Sequence, residues 1–565
     1  MKNDLDIAAI PFSRSGSYIA FSRLEGPRHA RRGIPEGVWM RCVHGDAAYE
    51  VMLFELVEGG ALVPCEMKTT VSALTLQGPT GRAEICIPTP DTIRVRVRGA
   101  GLRLTARSFR NHCAIPEPDG CWIFNMAASF RFYRLVPLVG ELTVDAPWEV
   151  KRCERMIADL SPAGGAVAEM AIEELTWMRH RKDHSVPFDK LRDDAQAEFD
   201  AFARPFLNCP EPLRATAARA AYLDWSSVVR PHRLIKRPAM YMSKNSMTNV
   251  WAWDHAFNAL AVCLSDQDLA WDQFMVIFDH QDSNGQIPDF INDVRYLTCF
   301  VKPPVHGWIL TRMIELSGDL PPKRLLEAYD RLSRWTNWWF AFRDPDGDGL
   351  PVYWHGNDSG WDNGTVFDVP LPLKAADLAA FLVMQMDALA GLADRLGRED
   401  EAGEWRRRAD ATLGALIDNL WDGLRFRCIS TVTRKAADPS DSVFGCLPII
   451  LGERLPAEIR DALAAEIGRH LTEWGPATEH PDSPAYDPDG YWRGPIWAPP
   501  TMILVDGLRA SGHAELARDV AGRFCRLCER SGFAENFDAL TGAPLRDPGY
   551  TWTSSVFLVL ANRYL

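Results

Sequence analysis

The chain has 565 residues, of which 47% are hydrophobic and 24% are charged, so it is long enough for two or more domains and too apolar for wholesale disorder. Its formal net charge of −13 disfavours binding to nucleic acid or to an anionic membrane surface. Any ligand is therefore expected to be neutral, or to be held by a few local charges.

No signal for export or membrane insertion is expected in this sequence. The first residues, MKNDLDIAAIPFSRSG, lack the basic segment and apolar core of a secretory signal. No apolar run approaches the roughly 18 residues that span a membrane. The 13 cysteines are scattered, and Cys525 and Cys528 fall within an amphipathic helical pattern, which fits free thiols in a reducing compartment. We therefore expect a cytoplasmic protein.

Residues 1–180 have the pattern of an antiparallel β-sandwich. In TIRVRVRGAGLRLTAR, apolar Ile93, Val95 and Val97 alternate with arginines, and similar short runs are separated by glycine and proline turns. Many short strands at this spacing are typical of a sandwich. Residues 181–210 are polar and predict a linker that leads into a helix.

From residue 211 to residue 565 the hydrophobic period becomes helical. Twelve helices in pairs over some 350 residues indicate a mainly α domain and favour an (α/α)6 toroid over a four-helix bundle. The predicted helices are 211–229, 254–265, 267–281, 302–317, 321–342, 373–396, 398–420, 440–451, 455–472, 497–511, 513–531 and 550–563.

Six long loops rich in glycine, proline and tryptophan interrupt these helices, at 230–253, 282–301, 343–372, 421–439, 473–496 and 532–549. Long loops in a compact domain are usually functional. If successive helices alternate in direction, every second connection lies at the same end of the domain. We therefore expect the six loops to build one cleft.

Two of these loops each carry a carboxylate in unusual surroundings. Asp362 lies in PVYWHGNDSGWDNGTVFD, and Glu535 lies in GFAENFDALTGAPLRDPGYTWTSS. Cleavage of a glycosidic bond needs one acid that protonates the leaving oxygen and one base that activates water. The pair therefore points to a glycosidase.

Aromatic and charged residues accompany these acids, and 16 of the 20 tryptophans lie between Trp225 and Trp552. A flat indole can stack on a sugar ring, while neighbouring polar groups bind its hydroxyls. Core filling, a helix N-cap for Asp254 and a plain helix start at Lys302 are the structural alternatives. The expected substrate-binding residues are Trp251, Trp253, Asp254, His255, Lys302, Asp358, Trp361, Trp492, Arg493 and Trp497.

The segments NVWAWDHAF, FVKPPVHGW, HGNDSGWDNG, DGYWRGPIWAPP and GFAENFD together resemble glycoside hydrolase family 63, and more distantly the trehalases, over about residues 240–565. The resemblance implies an (α/α)6 barrel and inversion at the anomeric carbon. It also implies Asp362 as general acid, with a raised pKa, and Glu535 as an ionised general base. Asp358, Asp368 and Asp538 are alternative acids. Several members of these families have glutamate where this chain has Asp358, so the sugar specificity stays open.

The run RDPDGDGL places Asp344, Asp346 and Asp348 at alternate positions, as in the first half of a calcium loop. An EF-hand is excluded because His355 stands where the bidentate glutamate is needed. The resemblance implies a possible structural calcium ion here, and an Asp/Gly turn is the alternative. No other cofactor is expected.

The sequence thus predicts an inverting, exo-acting α-glycosidase with a carbohydrate substrate, and an α-glucoside is the first choice. The alternatives are a hydrolase of mannosylglycerate or glucosylglycerate, with Arg493 or Lys302 directed at a carboxylate, and a trehalase-like enzyme. An inverting phosphorylase and a non-catalytic sugar-binding protein rank lower. The oligomeric state and the role of the N-terminal domain are not predicted.

Overall fold

The structure is a computed structural model that describes residues 5–46, 48–107, 109–176, 181–437 and 440–565. The chain divides into two compact units. The first comprises Met1–Ala203, Trp225–His232 and Ser243–Thr248, and the second comprises Arg204–Asp224, Arg233–Met242 and Asn249–Leu565.

The first unit contains two eight-stranded antiparallel sheets. Its strands are β1 (Phe12–Ser13), β2 (Ile19–Leu24), β3 (Gly37–Cys42), β4 (Tyr49–Glu58), β5 (Ala61–Leu62), β6 (Glu66–Thr69), β7 (Leu74–Gln77), β8 (Arg82–Thr89), β9 (Thr92–Arg98), β10 (Gly101–Ala106), β11 (Cys113–Pro116), β12 (Trp122–Met126), β13 (Arg131–Val139), β14 (Glu141–Asp145), β15 (Trp148–Glu149), β16 (Arg152–Cys153), β17 (Met156–Ser161) and β18 (Val167–Leu175).

One sheet has the order β1-β2-β3-β4-β10-β17-β14, with β5 paired to β4, and the other has the order β11-β12-β13-β18-β9-β8-β7-β6. A single hydrophobic core contains residues of both sheets, among them Phe54 and Leu104 of the first and Val95 and Leu135 of the second. The two sheets therefore bury their apolar faces against each other, as the alternating pattern predicts.

The outer face of strand β9 is covered as well. Arg94 and Arg96 are both buried, and each forms an ion pair, with Glu169 at 3.0 Å and Glu84 at 3.1 Å. The guanidinium of Arg96 also lies 4.3 Å from the ring centre of Phe188, the first residue of helix α2 (Phe188–Ala203). A short helix, α1 (Pro27–Ala30), precedes it in the chain. The predicted linker 181–210 therefore contributes a helix to the first unit.

Residues Ser243–Thr248 belong to the first unit although the sequence predicts a helical domain from residue 211. The ammonium of Lys244 is buried and donates to the carbonyl oxygens of Ser17 at 2.6 Å and Val228 at 3.2 Å, and to the hydroxyl of Ser13 at 3.0 Å. With the carbonyl oxygen of Arg14 at 3.5 Å, this buried amine has four oxygen partners, which fix the segment against the sheets. The hydrophobic pattern of the sequence does not predict such a contact.

The helices that follow are α3 (Arg214–Ser227), α4 (Asp254–Val262), α5 (Gln267–Met275), α6 (His306–Ser317), α7 (Pro322–Phe342), α8 (Ala376–Arg395), α9 (Glu399–Leu420), α10 (Ala457–Arg469), α11 (Ala498–Ala510), α12 (Ala514–Ser531) and α13 (Thr551–Arg563), with a 3₁₀ run at Val443–Arg454. Two-residue strands lie at Val228–Val229, Ala239–Met240, Val250–Trp251, Phe290–Ile291, Tyr296–Leu297, Val352–Tyr353, Leu373–Lys374, Ile429–Ser430, Asn536–Phe537 and Pro544–Leu545. Each of the twelve predicted helices coincides with one of these segments.

The predicted helix 440–451 is the one that differs in type. It forms a 3₁₀ run because Pro448 lies inside it and Gly452 adopts the non-helical angles φ 55° and ψ −130°. Proline removes a backbone donor, and a glycine with positive φ ends a regular helix.

Six helical segments of the second unit contact one another in a closed cyclic order: α4, α6, α8, the 3₁₀ run, α11, α13 and again α4. The other helices pack outside this ring, such as α5 on α4, α9 on α8 and α12 on α11. Composition explains the difference, since every residue of α4 is buried whereas α12 has one buried face and one charged face. Each of the six ring segments, α4 included, is preceded by one of the long loops.

Helix α8 is long and apolar enough to cross a membrane by composition alone. However, 78% of its most apolar window is buried inside the protein. This is the pattern of a core helix, in agreement with its place in the ring.

Candidate active site

Asp362 is held in a loop that is closed at its base. The strands Val352–Tyr353 and Leu373–Lys374 pair on either side of it, so the ends of the loop lie together. Gly360, with φ 75°, turns the chain just before the acid, and a Cβ at this position would overlap the indole of Trp253. The loop can therefore approach the aromatic interior this closely only with glycine at 360.

The carboxyl of Asp362 is accessible to solvent and yet surrounded by protein. Desolvation by this environment raises its pKa, and the positive charges of Lys302 and His355 oppose the rise only in part. An accessible acid with a raised pKa is what a concave site produces. It is also what a general acid needs near neutral pH.

Glu535 lies between α12 and α13, and its side chain is 4% exposed. The phenol of Tyr491 donates a 3.0 Å hydrogen bond to its Oε1 atom, and its backbone N–H donates to the carbonyl oxygen of Asp547 at 2.8 Å. The indole of Trp552 donates to the carbonyl oxygen of Glu535 at 3.3 Å. Backbone and side chain are thus both fixed.

Burial raises the pKa of Glu535 to about 7, and the Tyr491 hydrogen bond limits the rise. This differs from the expectation of a fully ionised base, because a carboxyl with this pKa is about half ionised at pH 7. The cause is its 4% exposure, which the surrounding sequence letters do not indicate. A base whose pKa matches the working pH is nevertheless favourable for proton transfer.

Tyr491 and its neighbour Trp492 connect the loops of the two predicted acids. The phenol of Tyr491 donates to Glu535, and the backbone N–H of Trp492 donates to the side-chain oxygen of Asn363, next to Asp362, at 3.0 Å. Burial raises the pKa of the Tyr491 phenol, and the charge of Glu535 raises it further. Tyr491 also has φ 63°, a left-handed conformation that is strained for a bulky residue and that is often found at functional sites.

Asp254 is the first residue of α4, and Trp253 holds the N-cap position, so Asp254 is not the N-cap of this helix. Its side chain is buried and accepts a 3.2 Å hydrogen bond from the phenol of Tyr550. Burial raises its pKa to about 8. Asp254 therefore stays largely protonated at neutral pH and can both donate and accept hydrogen bonds.

Lys302 lies four residues before α6 and is buried. Its ammonium forms an ion pair with Asp289 at 2.8 Å and donates to the carbonyl oxygen of Asn357 at 2.6 Å. Since Asn357 lies five residues before Asp362, this contact joins the ion pair to the loop of Asp362. The charge of Lys302 is neutralised before any ligand binds.

Asp358 has a position behind the site surface. One oxygen accepts from Arg343 at 2.8 Å and from the backbone N–H of Trp354 at 3.0 Å, and the other accepts from the N–H of Val301 at 3.1 Å. The side chain is completely buried. The sequence predicts a sugar contact for Asp358. In the structure both of its carboxylate oxygens instead accept hydrogen bonds from neighbouring loop residues.

Arg493 and Asp368 form a bidentate ion pair with one distance of 2.9 Å. The Nε of Arg493 donates to the carbonyl oxygen of Asn363 at 2.9 Å, next to Asp362. Its side chain is 30% exposed. The structure thus places Arg493 beside the loop of Asp362 with its charge shared, and its predicted contact with a substrate stays a prediction. Asp538, the remaining alternative acid, accepts from the backbone N–H groups of Leu540 and Thr541 within a turn.

Four of the predicted tryptophans form a packed aromatic interior. The rings of Trp492 and Trp497 stack at 3.9 Å, Trp361 stacks on Trp492 at 4.8 Å, and Trp253 lies 6.3 Å from Trp492. All four are at most 2% exposed, so they offer no free face to a sugar ring. Trp251 is partly buried against Phe290, and its ring is the more accessible one.

His255 is fully buried beneath the site. Its ring nitrogens lie 3.0 Å and 3.2 Å from the carbonyl oxygens of Trp251 and Phe274, and burial lowers its pKa to about 4. The histidine is therefore neutral and connects backbone segments. The structure gives it a packing position rather than the predicted substrate contact.

A family model described as the mannosylglycerate hydrolase MGH1-like glycoside hydrolase domain matches residues 247–553, which is more than half of the chain and includes every residue of the site. The chain belongs to this family. The resemblance to glycoside hydrolase family 63 is thereby confirmed, and the protein is a glycoside hydrolase.

Two relatives of this MGH1-like hydrolase are similar over almost their whole length. The mannosylglycerate hydrolase of Thermus thermophilus is 25% identical in an alignment of 401 residues, and the match covers 54% of this chain and 93% of that protein. The glucosylglycerate hydrolase of Mycolicibacterium hassiacum is 25% identical in an alignment of 446 residues, and the match covers 60% of this chain and 96% of that protein.

Solved structures show the same fold. The family 63 mannosylglycerate hydrolase of Thermus thermophilus in complex with glucose has a TM-score of 0.53 at 23% identity and covers 60% of this chain and 98% of that one. A bacterial glucoamylase complexed with acarbose has a TM-score of 0.63 at 12% identity and covers 100% of this chain and 95% of that one. The arrangement of a β-rich unit followed by a helical unit is thus shared with the glucoamylase.

Three residues of this MGH1-like site were not predicted: Asp289, Tyr491 and Tyr550. Tyr491 is adjacent to Trp492 in the predicted segment DGYWRGPIWAPP, so its position was visible but its role was not. Asp289 lies in a loop segment that has no distinctive neighbours in sequence. Its place in the site is recognised only from its ion pair with Lys302. Tyr550 stands at the N-cap of α13.

The Asp344–Asp348 turn of this hydrolase does not fit a calcium ion. The ammonium of Lys374 forms ion pairs with both Asp346, at 2.7 Å, and Asp348, and Arg434 lies 3.0 Å from Asp346. Calcium takes six to eight oxygen ligands, and two of the three acids already have cationic partners. The described residues therefore fit the alternative of a turn, here fixed by a lysine.

Proposed function

We propose that this protein hydrolyses an α-glycoside with inversion, with Asp362 as general acid and Glu535 as general base. The glycosidic oxygen takes a proton from Asp362 as its bond to the anomeric carbon breaks. A water molecule on the opposite face gives a proton to Glu535 and its oxygen to the anomeric carbon. The observation that carries the proposal is that consecutive residues contact both loops: Tyr491 donates to Glu535 at 3.0 Å, and the backbone N–H of Trp492 donates to the side-chain oxygen of Asn363, next to Asp362, at 3.0 Å.

The same proposal includes an (α/α)6 barrel for the second unit. Its support is the cyclic contact order of six buried segments, each of which follows a long loop. In such a barrel the loops before the six inner helices lie at one end. Asp362 precedes α8 and Glu535 precedes α13, so both acids reach the same cleft.

Within this mechanism Tyr491 positions the base. Its hydrogen bond fixes Oε1 of Glu535, which leaves Oε2 to accept the proton of the attacking water. The bond also stabilises the charged form and keeps the pKa of the buried carboxyl from rising above about 7. On the other side of the reaction, desolvation raises the pKa of Asp362, which favours the protonated form that a general acid requires.

For the substrate we propose a small glycoside of the mannosylglycerate or glucosylglycerate type. The support comes from the relatives, since proteins with those two activities match this chain over more than nine tenths of their own length. Arg493 is the cation that suits the glycerate carboxylate. It is 30% exposed and contacts the backbone next to Asp362, whereas Lys302 is only 4% exposed.

The second candidate is an α-glucosidase with a neutral leaving group. One observation favours it: both predicted cations are already paired, Lys302 with Asp289 and Arg493 with Asp368. A neutral leaving group requires no unpaired cation. The two candidates therefore differ in whether Arg493 releases Asp368 for an anionic ligand.

Matched substrate pairs separate the two candidates. Glucosylglycerate and mannosylglycerate each have a counterpart, glucosylglycerol and mannosylglycerol, that lacks only the carboxylate. We expect kcat/KM to be at least about tenfold higher for the glycerates, because one charge-assisted contact is worth roughly 1.5–3 kcal/mol. If kcat/KM is equal or higher for glucosylglycerol, mannosylglycerol or maltose, the α-glucosidase candidate replaces the glycerate candidate.

The same assay tests the catalytic acids. Asp362→Asn and Glu535→Gln should each lower kcat by about 10²-fold or more, because each removes a proton-transfer group. Asp418→Asn, on the outer helix α9, is the matched control and should retain activity. Full activity of either catalytic variant would remove that residue from the mechanism. A rate that requires inorganic phosphate would indicate a phosphorylase.

A further inference from the structure

A second cavity lies in the helical unit, at the ends of the ring helices that are remote from the catalytic loops. Its volume is about 240 Å³, and helices α4, α6, α11 and α13 line it with residues near their C-terminal ends. The catalytic groups instead stand before the N-terminal ends of these helices. From Thr551 to Arg563 helix α13 rises roughly 18 Å, so the two places are separate.

The floor of this cavity is a closed polar network around Asp506. One oxygen accepts from the indole of Trp308 at 2.6 Å and from Nε of Arg312 at 2.8 Å, and the other accepts from the phenol of Tyr564 at 2.6 Å. Arg312 also pairs with Glu315 at 2.8 Å. The two acids of the cavity are therefore both used by Arg312.

Two further arginines at the same cavity have no acidic partner. No carboxylate of the described residues lies within 4.0 Å of the guanidinium of Arg509 or Arg563. Arg509 lies 5.2 Å from the ring centre of Tyr564, and its Nη1 faces the carbonyl oxygen of Arg563 at 3.5 Å. The lining thus contains three arginines and two acids, which leaves an excess of positive charge in a protein whose net charge is −13.

The remaining walls are apolar. Leu260, Leu316, Met502 and Val559 line the cavity beside the arginines. A site that combines apolar walls with two guanidinium groups in its lining suits a small molecule with an anionic end and a less polar body. A volume of 240 Å³ corresponds to about eight waters, which is the size of a three- to six-carbon acid or phosphate ester.

We propose that this cavity binds a small carboxylate or phosphate ester through Arg509 and Arg563. Guanidinium groups prefer these oxyanions because two N–H donors match two acceptor oxygens. The site is distinct from the catalytic cleft and does not depend on the identity of the cleaved glycoside. The structural alternative is that both arginines only interact with the helix C-terminal carbonyl groups.

The probes are inorganic phosphate, glucose 6-phosphate and D-glycerate, titrated at constant ionic strength and followed by calorimetry and thermal unfolding. We expect saturable binding of at least one probe by the wild type. The double variant Arg509→Met, Arg563→Met should weaken that binding by about tenfold or more, because two charge-assisted contacts are lost. Preference for glucose 6-phosphate or glycerate identifies the ester or the carboxylate as the ligand class.

Arg518→Met, on the exposed side of α12, is the matched control and should bind like the wild type. If the double variant is unstable, Arg509→Lys replaces it in the test. This variant keeps the positive charge but loses the two-donor geometry, so it should retain only part of the affinity. Glycoside hydrolysis by the double variant should stay within about twofold of the wild type. Absence of saturable binding by the wild type, or equal affinity in the double variant, would overturn the proposal.

Discussion

The contact between Tyr491 and Glu535 determines how the proposed base titrates. A phenol that donates to a buried carboxylate stabilises its charged form, and Glu535 keeps a pKa of about 7 with this bond present. A carboxyl that must be ionised to accept a proton gives a rate that rises with pH through that pKa. The acid limb of kcat/KM should therefore lie near pH 7 in the free enzyme.

Tyr491→Phe should move this limb upward. Loss of the hydrogen bond raises the pKa of Glu535, so the rise of kcat/KM should occur about one pH unit higher. The pH profile of kcat/KM measures the shift directly. Tyr49→Phe, in the first unit, is the control and should leave the profile unchanged. An acid limb that stays in place would show that Tyr491 does not act on the base.

Glu535 should also reduce the stability of the protein at alkaline pH. Its pKa is raised from 4.5 to about 7 in the folded state, so its protonated form is favoured by folding and its ionised form is disfavoured. Ionisation of Glu535 therefore destabilises the folded state. This destabilisation is zero below about pH 4.5 and reaches at most about 3 kcal/mol above pH 7.

Glu535→Gln removes this charge and should raise the free energy of unfolding at pH 8 while leaving it almost unchanged at pH 4. Urea unfolding at the two pH values measures the difference. We expect Glu535→Gln to be inactive and more stable than the wild type at pH 8, because a buried charge that is needed for the reaction costs stability. Equal or lower stability at pH 8 would contradict the raised pKa.

At the scale of elements, the loop that carries Asp362 depends on its base. Lys374 ends the strand that closes the loop, and its ammonium pairs with Asp346 and Asp348 on the other side. The lysine side chain is 9% exposed. An internal cation thus takes the place between acids that a calcium ion would need.

Lys374→Met should leave Asp348 without a cation and Asp346 with Arg434 alone, and should lower the free energy of unfolding by about 2 kcal/mol. The exposed Lys435→Met is the control from the same region and should change the stability by less than about 0.5 kcal/mol. Thermal unfolding of the wild type should not respond to calcium or to a chelator. A wild type that loses stability with chelator would show that the turn binds calcium after all.

Much of the helical unit could be predicted from sequence because its period is strong. In α8, apolar residues at Leu378, Phe381 and Leu382 recur at helical spacing, and the long loops are marked by glycine and proline. The long loops contain many acids, and Asp362 and Glu535 could be selected among them only by their aromatic neighbours and by the resemblance to glycoside hydrolase family 63. The 3₁₀ run shows where periodicity fails, because one proline and one glycine change the helix type without changing the pattern.

Burial inside the site could not be predicted. Trp361 and Trp492 stand beside glycines and charged residues, as sugar-binding tryptophans do, yet they stack on each other in the interior. Asp358 and His255 appear as exposed polar ligands in the sequence, whereas they are buried and hydrogen-bond to the backbone of Val301 and of Phe274. Such roles depend on contacts between separate segments of the chain, and neither spacing nor composition records those contacts.

At the scale of the whole molecule, the ring of helices explains how distant loops form one site. Tyr550, at the start of α13, donates to Asp254, at the start of α4, 296 residues earlier in the chain. The cyclic order α4, α6, α8, 3₁₀ run, α11, α13 brings such loops together. The proposed reaction requires this closure, because acid and base come from different loops and must lie on opposite faces of one sugar.

The most direct test of this account is proton NMR of the first sugar released from an α-linked substrate. A water molecule activated by Glu535 attacks the face opposite to the leaving group that Asp362 protonates, so the β-anomer should appear first and the α-anomer should grow only by mutarotation. Initial release of the α-anomer would contradict the placement of Asp362 and Glu535 on opposite sides of the bond.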